Sequence, residues 1–245
     1  PVNAIEVKPQ KSHPYILPDR CIGCGLCYVS CTPHAIGFRD SNDDVKALLS
    51  SGRKTAALIE PSIASEFDDI TDYRKFVAMI RLLGFDYVHE VSFGVDLIAA
   101  EYAELFSKAE GKYLITANCP SIVKLIEKFH PDLVPNLAPL VSPMIATAMV
   151  VKDLHGEDVG IVQIGPCIDA KDEAKLYRSG KLIEGVITFA ELRILFDEFQ
   201  IQERQVKLSD FDPPHGNWGA LYPLPPGIIQ ANGIKKNMVS SSVIT

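Results

Sequence analysis

The sequence of 245 residues lacks the features that mark several classes of protein. No apolar run approaches the roughly 18 residues of a membrane-spanning helix, so we expect no membrane span. No basic and apolar leader opens the sequence, so we expect no export signal. The net charge of −7, without clustered lysine or arginine, argues against nucleic-acid binding. The composition is otherwise that of a globular protein with one large or two modest domains.

Motifs for nucleotide binding are absent as well. Neither a Walker loop nor a G-x-G-x-x-G run occurs, so nucleotide binding has no support in the sequence. The histidines show no spacing typical of metal ligands, and we expect them on the surface or in loops. They are His13, His34, His89, His130, His155 and His215.

Cysteine is the informative residue type, because four of the six cysteines lie within eleven residues. These four are Cys21, Cys24, Cys27 and Cys31. Their spacing, C-x2-C-x2-C-x3-C, is typical of cubane iron–sulfur clusters, with the fourth thiolate directed to a second cluster. Gly23 and Gly25 would allow backbone amides to approach the sulfides. We therefore predict a 4Fe-4S cluster on the first three thiolates and a second cluster at the fourth.

Other uses of these four cysteines fit the spacing less well. Disulfides between such close thiols would be strained, and secreted scaffolds spread their cysteines more widely. A zinc site would normally use two separated cysteine pairs, and unliganded buried thiols are the remaining alternative. The cluster interpretation requires reduced thiols and predicts a cytoplasmic location.

A weak internal repeat strengthens the likeness to ferredoxins. A shift of 31 positions aligns Ala4-Ile5 with Ala35-Ile36 and puts Cys31 opposite the position just before Pro1. In bacterial two-cluster ferredoxins, which this segment resembles, another cysteine motif would end there. We expect that first motif to precede Pro1. The alternative is a genuine start at Pro1 after removal of an initiator methionine.

From residue 54 on, short apolar runs alternate with amphipathic segments, a pattern typical of parallel βαβ units. We expect an α/β fold with two lobes of parallel sheet and flanking helices, preceded by a small ferredoxin-like domain. The predicted domains are 1–50 and 51–245, with lobes at 54–154 and 155–245 and a polar run at 39–44 before the boundary near Ser50-Ser51-Gly52.

The predicted elements follow the same patterns. Strands are expected at 4–7, 35–38, 55–59, 87–91, 113–116, 159–164, 186–188 and 238–245. Helices are expected at 71–83, 96–108, 120–129, 143–154, 170–177 and 189–199. Residues 212–217 and 223–227 are expected to be ordered loops.

Two solitary cysteines occupy equivalent places in two predicted βα units. Cys119 follows the predicted strand 113–116 and precedes a helix that starts at Pro120, and Cys167 follows strand 159–164 and precedes helix 170–177. The helix dipole at such positions favours a thiolate, and α/β sheets place their ligands there. We expect the two thiols to share one cleft. Taken singly, each is more often a small buried apolar residue.

The segments around these cysteines resemble the large subunit of iron-only ([FeFe]) hydrogenases. The resemblance lies in 59–63, 116–129, 130–137, 142–144 and 165–173. A ferredoxin-like module joined to this domain is also the arrangement of that family, so the likeness covers essentially the whole chain. It implies an H-cluster, which is a cubane bridged through a cysteine to a two-iron subsite with carbonyl and cyanide ligands.

The resemblance implies roles for individual residues. Cys119 and Cys167 match two of the four cysteines that hold the cubane. Lys171 and Glu173 match a lysine and a glutamate of the second cysteine motif. The pocket-lining positions are matched by Pro61, Ser62, Pro143 and Pro166.

Departures from the family pattern are equally informative. Asn118 stands where a cysteine relays protons, and an amide does not titrate near neutral pH. Ala170 replaces a lysine that would hydrogen-bond a cyanide. Met144 and Gly165 replace the usual glutamine and methionine of the pocket wall. The third motif, C-x3-C, does not occur, so the sequence looks like a truncated piece from the divergent, sensory or regulatory branch of the family.

These features predict an iron–sulfur electron-transfer oxidoreductase of hydrogenase type that is inactive on its own. A sensory or signalling module with little turnover is one alternative, and a non-catalytic iron–sulfur assembly factor is another. A signalling extension beyond Thr245 would favour sensing, and a simple third motif would favour catalysis. Ferredoxin or another redox protein is the expected partner, with further domains or subunits possible.

Overall fold

The computed structural model describes residues 2–7, 13–108, 113–176, 182–224 and 227–231. The predicted last strand, 238–245, lies outside the described residues, as do residue 177 of one predicted helix and residues 225–226 of one predicted loop. No helix in the described ranges is both long and apolar enough to cross a membrane.

A four-stranded parallel sheet forms the centre of the α/β fold. Its strands are β3 (Thr55–Ile59), β4 (Tyr87–Glu90), β5 (Gly160–Gly165) and β6 (Gly185–Thr188), in the spatial order β4-β3-β5-β6. Ala57 pairs with Val88 on one side and Val162 on the other. Strands from both predicted lobes therefore pair within one sheet.

Helices cover both faces of this sheet. The longer ones are α2 (Asn42–Leu49), α4 (Tyr73–Leu82), α5 (Val91–Lys108), α6 (Pro120–Phe129), α7 (Pro143–His155), α8 (Ala170–Leu176) and α9 (Phe189–Glu198). Short helices are α1 (Leu26–Val29), α3 (Ile63–Glu66) and α10 (Gly227–Ala231), with 3-10 turns at Pro131–Asn136, Glu203–Gln205 and Trp218–Leu221. These bounds lie close to the predicted ones, although α5 begins five residues earlier than expected.

The core is divided by the sheet because successive strand residues point to opposite faces. Ala57 and Ile59 of β3 pack with Phe76 of α4 and Leu192 of α9 on one face. Ala56 and Leu58 pack with Ile145 and Val151 of α7 on the other face. All five residues of β3 are buried, which explains why its sequence is a continuous apolar run.

The N-terminal part contains little regular structure. A two-residue strand β1 (Ile5–Glu6) pairs antiparallel with β2 (Tyr15–Ile16), and α1 follows. Residues 35–38, predicted as a strand, have no strand partner among the described residues, so that prediction is wrong. Helix α2 precedes the predicted domain boundary, yet its Val45 is buried in the core of the α/β layer.

The predicted strand 113–116 is also wrong. Ile115 makes a single parallel bridge with Leu137 and does not join the central sheet. Its N–H donates to Asn136 O at 2.8 Å, and its O accepts from the N–H of Ala138 at 2.8 Å. Tyr113 is 87% exposed, so the run 113–116, which the sequence predicts to be a strand in the core, lies at the surface at this residue.

The expectation that all histidines lie at the surface is wrong for one pair. His89 of β4 is 1% exposed, and its Nε2 lies 2.9 Å from Nε2 of His155 at the end of α7. The His155 ring stacks on Tyr87 with a centroid distance of 3.7 Å. Burial, and to a smaller extent the neighbouring His155, lower the pKa of His89 to about 4.

Candidate metal centres

The N-terminal cysteines surround an open pocket of about 430 Å³. Cys21, Cys24 and Cys27 line it together with apolar side chains that include Ile5, Ile16, Ile22, Leu26, Ile36 and Phe38. Cys31 is not part of this lining, and its Sγ accepts the N–H of Ala35 at 3.3 Å. Three of the four N-terminal thiols therefore border this pocket, and the fourth lies outside its lining.

Two glycines shape the loop that carries these thiols. Gly23 and Gly25 both have φ of +73°, the left-handed region in which a side chain is strained. The N–H of Gly23 donates to Cys21 Sγ at 3.4 Å. A backbone amide directed at sulfur is the kind of contact that stabilises a thiolate cluster.

The donor set fits a polynuclear cluster better than a single ion. In the described part of the chain, no three cysteine, histidine or acidic side chains converge closely enough to hold one metal ion. A cubane binds each thiolate at a different iron, so its ligands border a space and do not meet at a point. Three free thiols around an apolar pocket match that need, and the fourth iron would take a ligand from elsewhere.

A second pocket, of about 480 Å³, brings the solitary cysteines together. Cys119 and Cys167 both line it, so the structure places them in one cleft as predicted. Cys119 is the residue before α6, whose first residue is Pro120, and Cys167 lies between β5 and α8. Because 113–116 is not a sheet strand, the end of β5 and the start of α6 create this cleft.

The thiol of Cys167 does not show the expected preference for a thiolate. Although the residue is exposed at the pocket mouth, desolvation by the surrounding protein raises the pKa of its thiol. The backbone N–H groups of Ala170 and Asp169 lower the pKa, and the nearby Cys119 raises it, but burial has the largest effect. A metal at this thiol would have to displace its proton.

Two carboxyl groups that can bind protons, and one buried amide, line the second pocket. Burial raises the pKa of Glu60, whose Oε2 accepts the Ser62 hydroxyl at 3.2 Å. Burial also raises the pKa of Glu173, against a hydrogen bond with Ser142 that lowers it. Gln163 is 3% exposed, and its Oε1 has no hydrogen-bond partner. All of these side chains line the cleft.

The residue at the proton-relay position is fixed by hydrogen bonding. Asn118 lines the second pocket, and its Oδ1 accepts the hydroxyl of Tyr102 at 2.9 Å. The same hydroxyl oxygen accepts the N–H of Ala117 at 2.8 Å. Tyr102 is 1% exposed, and burial raises its pKa. Sequence inspection missed Tyr102, because a buried aromatic residue in a helix is ordinarily part of a core.

The structure brings most, but not all, of the other expected pocket residues to the cleft. Ser62, Pro143 and Pro166 line it with Glu173. Pro61 lines a smaller neighbouring pocket beside Tyr73 and Glu90.

Lys171 lies away from the cleft. Its Nζ forms a buried ion pair with Glu191 Oε1 at 2.8 Å and also donates to the Ser41 hydroxyl at 2.8 Å. Glu191 in turn forms the capping box of α9 with Thr188. Lys171 therefore joins the segment before α2 to the α/β layer.

The two pockets are connected by direct contacts between their loops. Lys128 of α6 donates from Nζ to the backbone O of Cys21 at 2.7 Å. A Cβ added to Gly25 would lie 3.1 Å from Ile168 Cδ1, and one added to Gly23 would lie 2.0 Å from Asp169 Oδ1. The N-terminal cysteine loop is thus seated on the residues that follow Cys119 and Cys167 in the chain.

Asp169 is the second functional candidate that sequence inspection missed. Its side chain is fully buried and accepts the Ser121 hydroxyl at 3.1 Å and the ammonium of Lys124. Burial lowers the pKa of Lys124, and Asp169 outweighs that effect, so the pKa is raised overall. The sequence offered one indication of this role, because Asp169 lies two positions after the candidate ligand Cys167.

Two family models match this chain, and they cover most of its length. Residues 53–242 match the family described as iron only hydrogenase large subunit, C-terminal domain, and residues 14–36 match a 4Fe-4S binding domain. Iron hydrogenase 1 of Clostridium pasteurianum is 29% identical in an alignment of 225 positions that covers 80% of this chain and 39% of that protein.

Other relatives carry a different name. The cytosolic Fe-S cluster assembly factor NAR1 of Yarrowia lipolytica is 26% identical in an alignment of 175 positions that covers 63% of this chain and 36% of that protein. The chain therefore spans well under half the length of these curated relatives. A solved apo [FeFe]-hydrogenase variant of Chlamydomonas reinhardtii shares the fold, with a TM-score of 0.60 at 22% identity over 73% of this chain and 52% of that one.

Proposed function

The chain belongs to the iron-only hydrogenase large-subunit family, and from this premise we propose that it is an iron–sulfur electron-transfer protein of [FeFe]-hydrogenase type. The single observation that carries the proposal is that the loop with the N-terminal cysteines packs against the residues that follow Cys167. Cys21, Cys24 and Cys27 border one pocket, Cys119 and Cys167 border the next, and Gly23 touches Asp169 between them. Such an arrangement supports electron passage between two iron–sulfur groups.

The N-terminal thiols would hold a cubane 4Fe-4S cluster, with Cys31 directed to a second one. Such clusters take up and release single electrons at potentials set by their surroundings. In this chain, apolar side chains line the pocket beside the thiols, and the Gly23 amide orients Cys21.

The second pocket would hold part of an H-cluster site. This chain supplies two thiols there, Cys119 and Cys167, and contains no further cysteine outside the N-terminal run. Glu60 and Glu173 hold protons more tightly than ordinary carboxyl groups, so they can retain a proton at the pocket wall closer to neutral pH. With two of four thiols, we expect these 245 residues alone to have no hydrogen turnover.

A role without turnover is the second candidate. The carbonyl oxygen of Asn118 is held by Tyr102, so the relay position offers no group that exchanges protons near neutral pH. That contact favours a protein that senses hydrogen or redox state, or one that handles iron–sulfur clusters as the name of the NAR1 relatives states.

The partner and compartment follow from the same sites. Leu26 and Val29 are exposed beside the N-terminal thiols, with 51% and 79% of their surface accessible. This apolar rim suits contact with ferredoxin or another small redox protein. All six cysteines are free thiols, so we propose a reducing, cytoplasmic environment.

Anaerobic reconstitution tests the proposal. The chain would be treated with ferrous iron, sulfide and excess small thiol under argon, and iron and sulfide would be counted per chain. We expect a cubane cluster with an electron paramagnetic resonance (EPR) signal after reduction by dithionite. Cys24→Ser should abolish that signal, and Cys119→Ser should leave it in place. Stoichiometric zinc without iron would overturn the proposal.

A further inference from the structure

A buried ion pair lies between the two candidate metal centres, and no residue of the pair is a metal ligand in the proposed function. Asp169 lies two residues after Cys167 in the chain, and Lys124 lies five residues after Cys119. The Asp169 side chain is 0% exposed and that of Lys124 is 20% exposed. Charges at this depth are screened by salt far less than surface charges are.

The carboxylate of Asp169 lies against the N-terminal cysteine loop. A Cβ on Gly23 would be 2.0 Å from Asp169 Oδ1 and 2.4 Å from its Cγ, so the glycine backbone packs directly on the carboxylate. Gly23 is the residue before Cys24 and is two residues from Cys21. The negative end of the pair therefore faces the loop that carries three thiols.

The other contacts of the pair hold it in place. Ser121 donates its hydroxyl to Asp169 Oδ2 at 3.1 Å. Lys124 contacts Asp172 Oδ2 at 3.3 Å in addition to Asp169. Lys124 lies on α6 and Asp169 immediately precedes α8, so both partners lie close to the start of a helix that follows a pocket cysteine.

We propose that the Asp169–Lys124 pair sets the reduction potential of an iron–sulfur cluster held by Cys21, Cys24 and Cys27. The inference rests on the proposed function, because it requires that cluster. Reduction adds one electron from dithionite to the cluster and breaks no bond, so the cluster becomes more negative by one charge. A nearby negative charge opposes this change and a nearby positive charge favours it.

Opposite substitutions should therefore shift the potential in opposite directions. Asp169→Asn removes the buried negative charge that faces the cysteine loop, while Lys124 keeps its positive charge and its contact with Asp172, and the potential should rise. Lys124→Met leaves Asp169 as an excess negative charge, and the potential should fall. The double variant, which has neither charge, should lie between the two. A purely structural role does not predict shifts of opposite sign.

The experiment is an EPR-monitored redox titration with dithionite and viologen mediators. All variants carry Cys119→Ser and Cys167→Ser, so that the signal belongs to the N-terminal cluster. Glu104→Gln is the matched control, because it removes one negative charge from the exposed pair with Lys108 at the end of α5. We expect no shift for this control, and shifts for the buried pair that persist at high salt.

The outcomes separate the two proposals. Absence of iron from the unsubstituted chain would contradict the proposed function itself. Normal iron content with unshifted potentials, or with shifts of one sign, would overturn the role of the pair alone. Loss of iron from both single variants with recovery in the double variant would show that the pair only holds the loop in place, and it would overturn the role of the pair in the potential. Loss of iron from all three variants would make the pair purely structural and overturn the inference.

Discussion

The hydroxyl of Tyr102 donates a hydrogen bond to Oδ1 of Asn118 at 2.9 Å, at the wall of the cleft that contains Cys119 and Cys167. The tyrosine is in the middle of α5, and the asparagine precedes α6 by two residues. The bond fixes the orientation of the amide and joins two side chains that do not exchange protons near neutral pH. Neither side chain therefore offers the cleft a group that exchanges protons near neutral pH.

The first prediction concerns hydrogen evolution. With reduced viologen as the electron donor, we expect none from the 245-residue chain after anaerobic maturation. A version extended by a C-x3-C motif should evolve hydrogen slowly, and Asn118→Cys in that extended version should be faster by about 10²–10⁴-fold, the usual contribution of a positioned proton-transfer group. Rapid evolution by the chain as it stands would contradict the relay explanation.

The second prediction concerns the stability that Tyr102 contributes. Tyr102→Phe keeps the ring in the core but leaves the N–H of Ala117 and the Asn118 carbonyl without a partner. We expect the free energy of unfolding in urea to fall by about 1–3 kcal/mol. Tyr73→Phe is the control, since Tyr73 is 49% exposed, and it should change stability by no more than about 0.5 kcal/mol. Equal effects would refute the structural role.

The third prediction separates steric fit from backbone strain at Gly23. Gly23→Ala places an alanine in a left-handed backbone conformation and also brings its Cβ into a clash with Asp169. Gly52→Ala causes only the backbone strain, because no atom lies within 4 Å of the added Cβ. We expect Gly52→Ala to cost about 1–2 kcal/mol and Gly23→Ala to cost more. Only Gly23→Ala should reduce iron incorporation. Normal iron content in Gly23→Ala would show that the cysteine loop does not need its close contact with Asp169 in order to bind iron.

The fourth prediction follows from the pKa of His89. Folding lowers it to about 4 from an ordinary value near 6.5, so the unfolded chain binds the proton more readily. The stability contributed by the neutral ring is present above about pH 6.5 and is lost as the pH falls toward 4, by roughly 3 kcal/mol in total. His89→Gln should flatten the urea-unfolding profile over this range. Substitution of the exposed His130 by Gln should leave the profile as it is.

The fifth prediction concerns the buried pair of Lys171 and Glu191. Lys171→Met leaves the Glu191 carboxylate buried without its cation, and we expect a loss of about 3–5 kcal/mol in unfolding free energy. Lys108→Met breaks an exposed pair and should cost about 0–1 kcal/mol. If Lys171→Met lowers the free energy of unfolding as little as the control does, the Lys171–Glu191 ion pair does not hold the segment before α2 in place.

The sequence allowed good prediction of elements whose pattern is local. The continuous apolar run 55–59 predicts the observed bounds of β3. The amphipathic run 120–129, which opens with Pro120, predicts the observed bounds of α6. The run 113–116 has the same local composition as a strand, but it lacks a place in the sheet, and only tertiary packing decides that.

Pairings between distant residues could not be predicted from composition. His89 and His155 are 66 positions apart, and Asp169 and Lys124 are 45 apart. Each of these residues taken alone is typical of a surface. Burial makes them informative, because a buried charge or ring nitrogen needs a partner, and the partner becomes known only when the chain is folded. The four N-terminal cysteines differ in this respect, because their spacing alone predicts shared ligation.

The pairing of β3 with β5 also sets an order of events during synthesis. Thr55 of β3 lies opposite Gly160 of β5, which is made 105 residues later. The ribosome therefore delivers the N-terminal thiols long before Ile168 and Asp169, on which their loop is seated. Until then the loop has no support and its thiols are open to oxidation. Iron and sulfide should accordingly be inserted late, after the sheet has formed. Until then the thiols of the nascent chain have to be kept reduced.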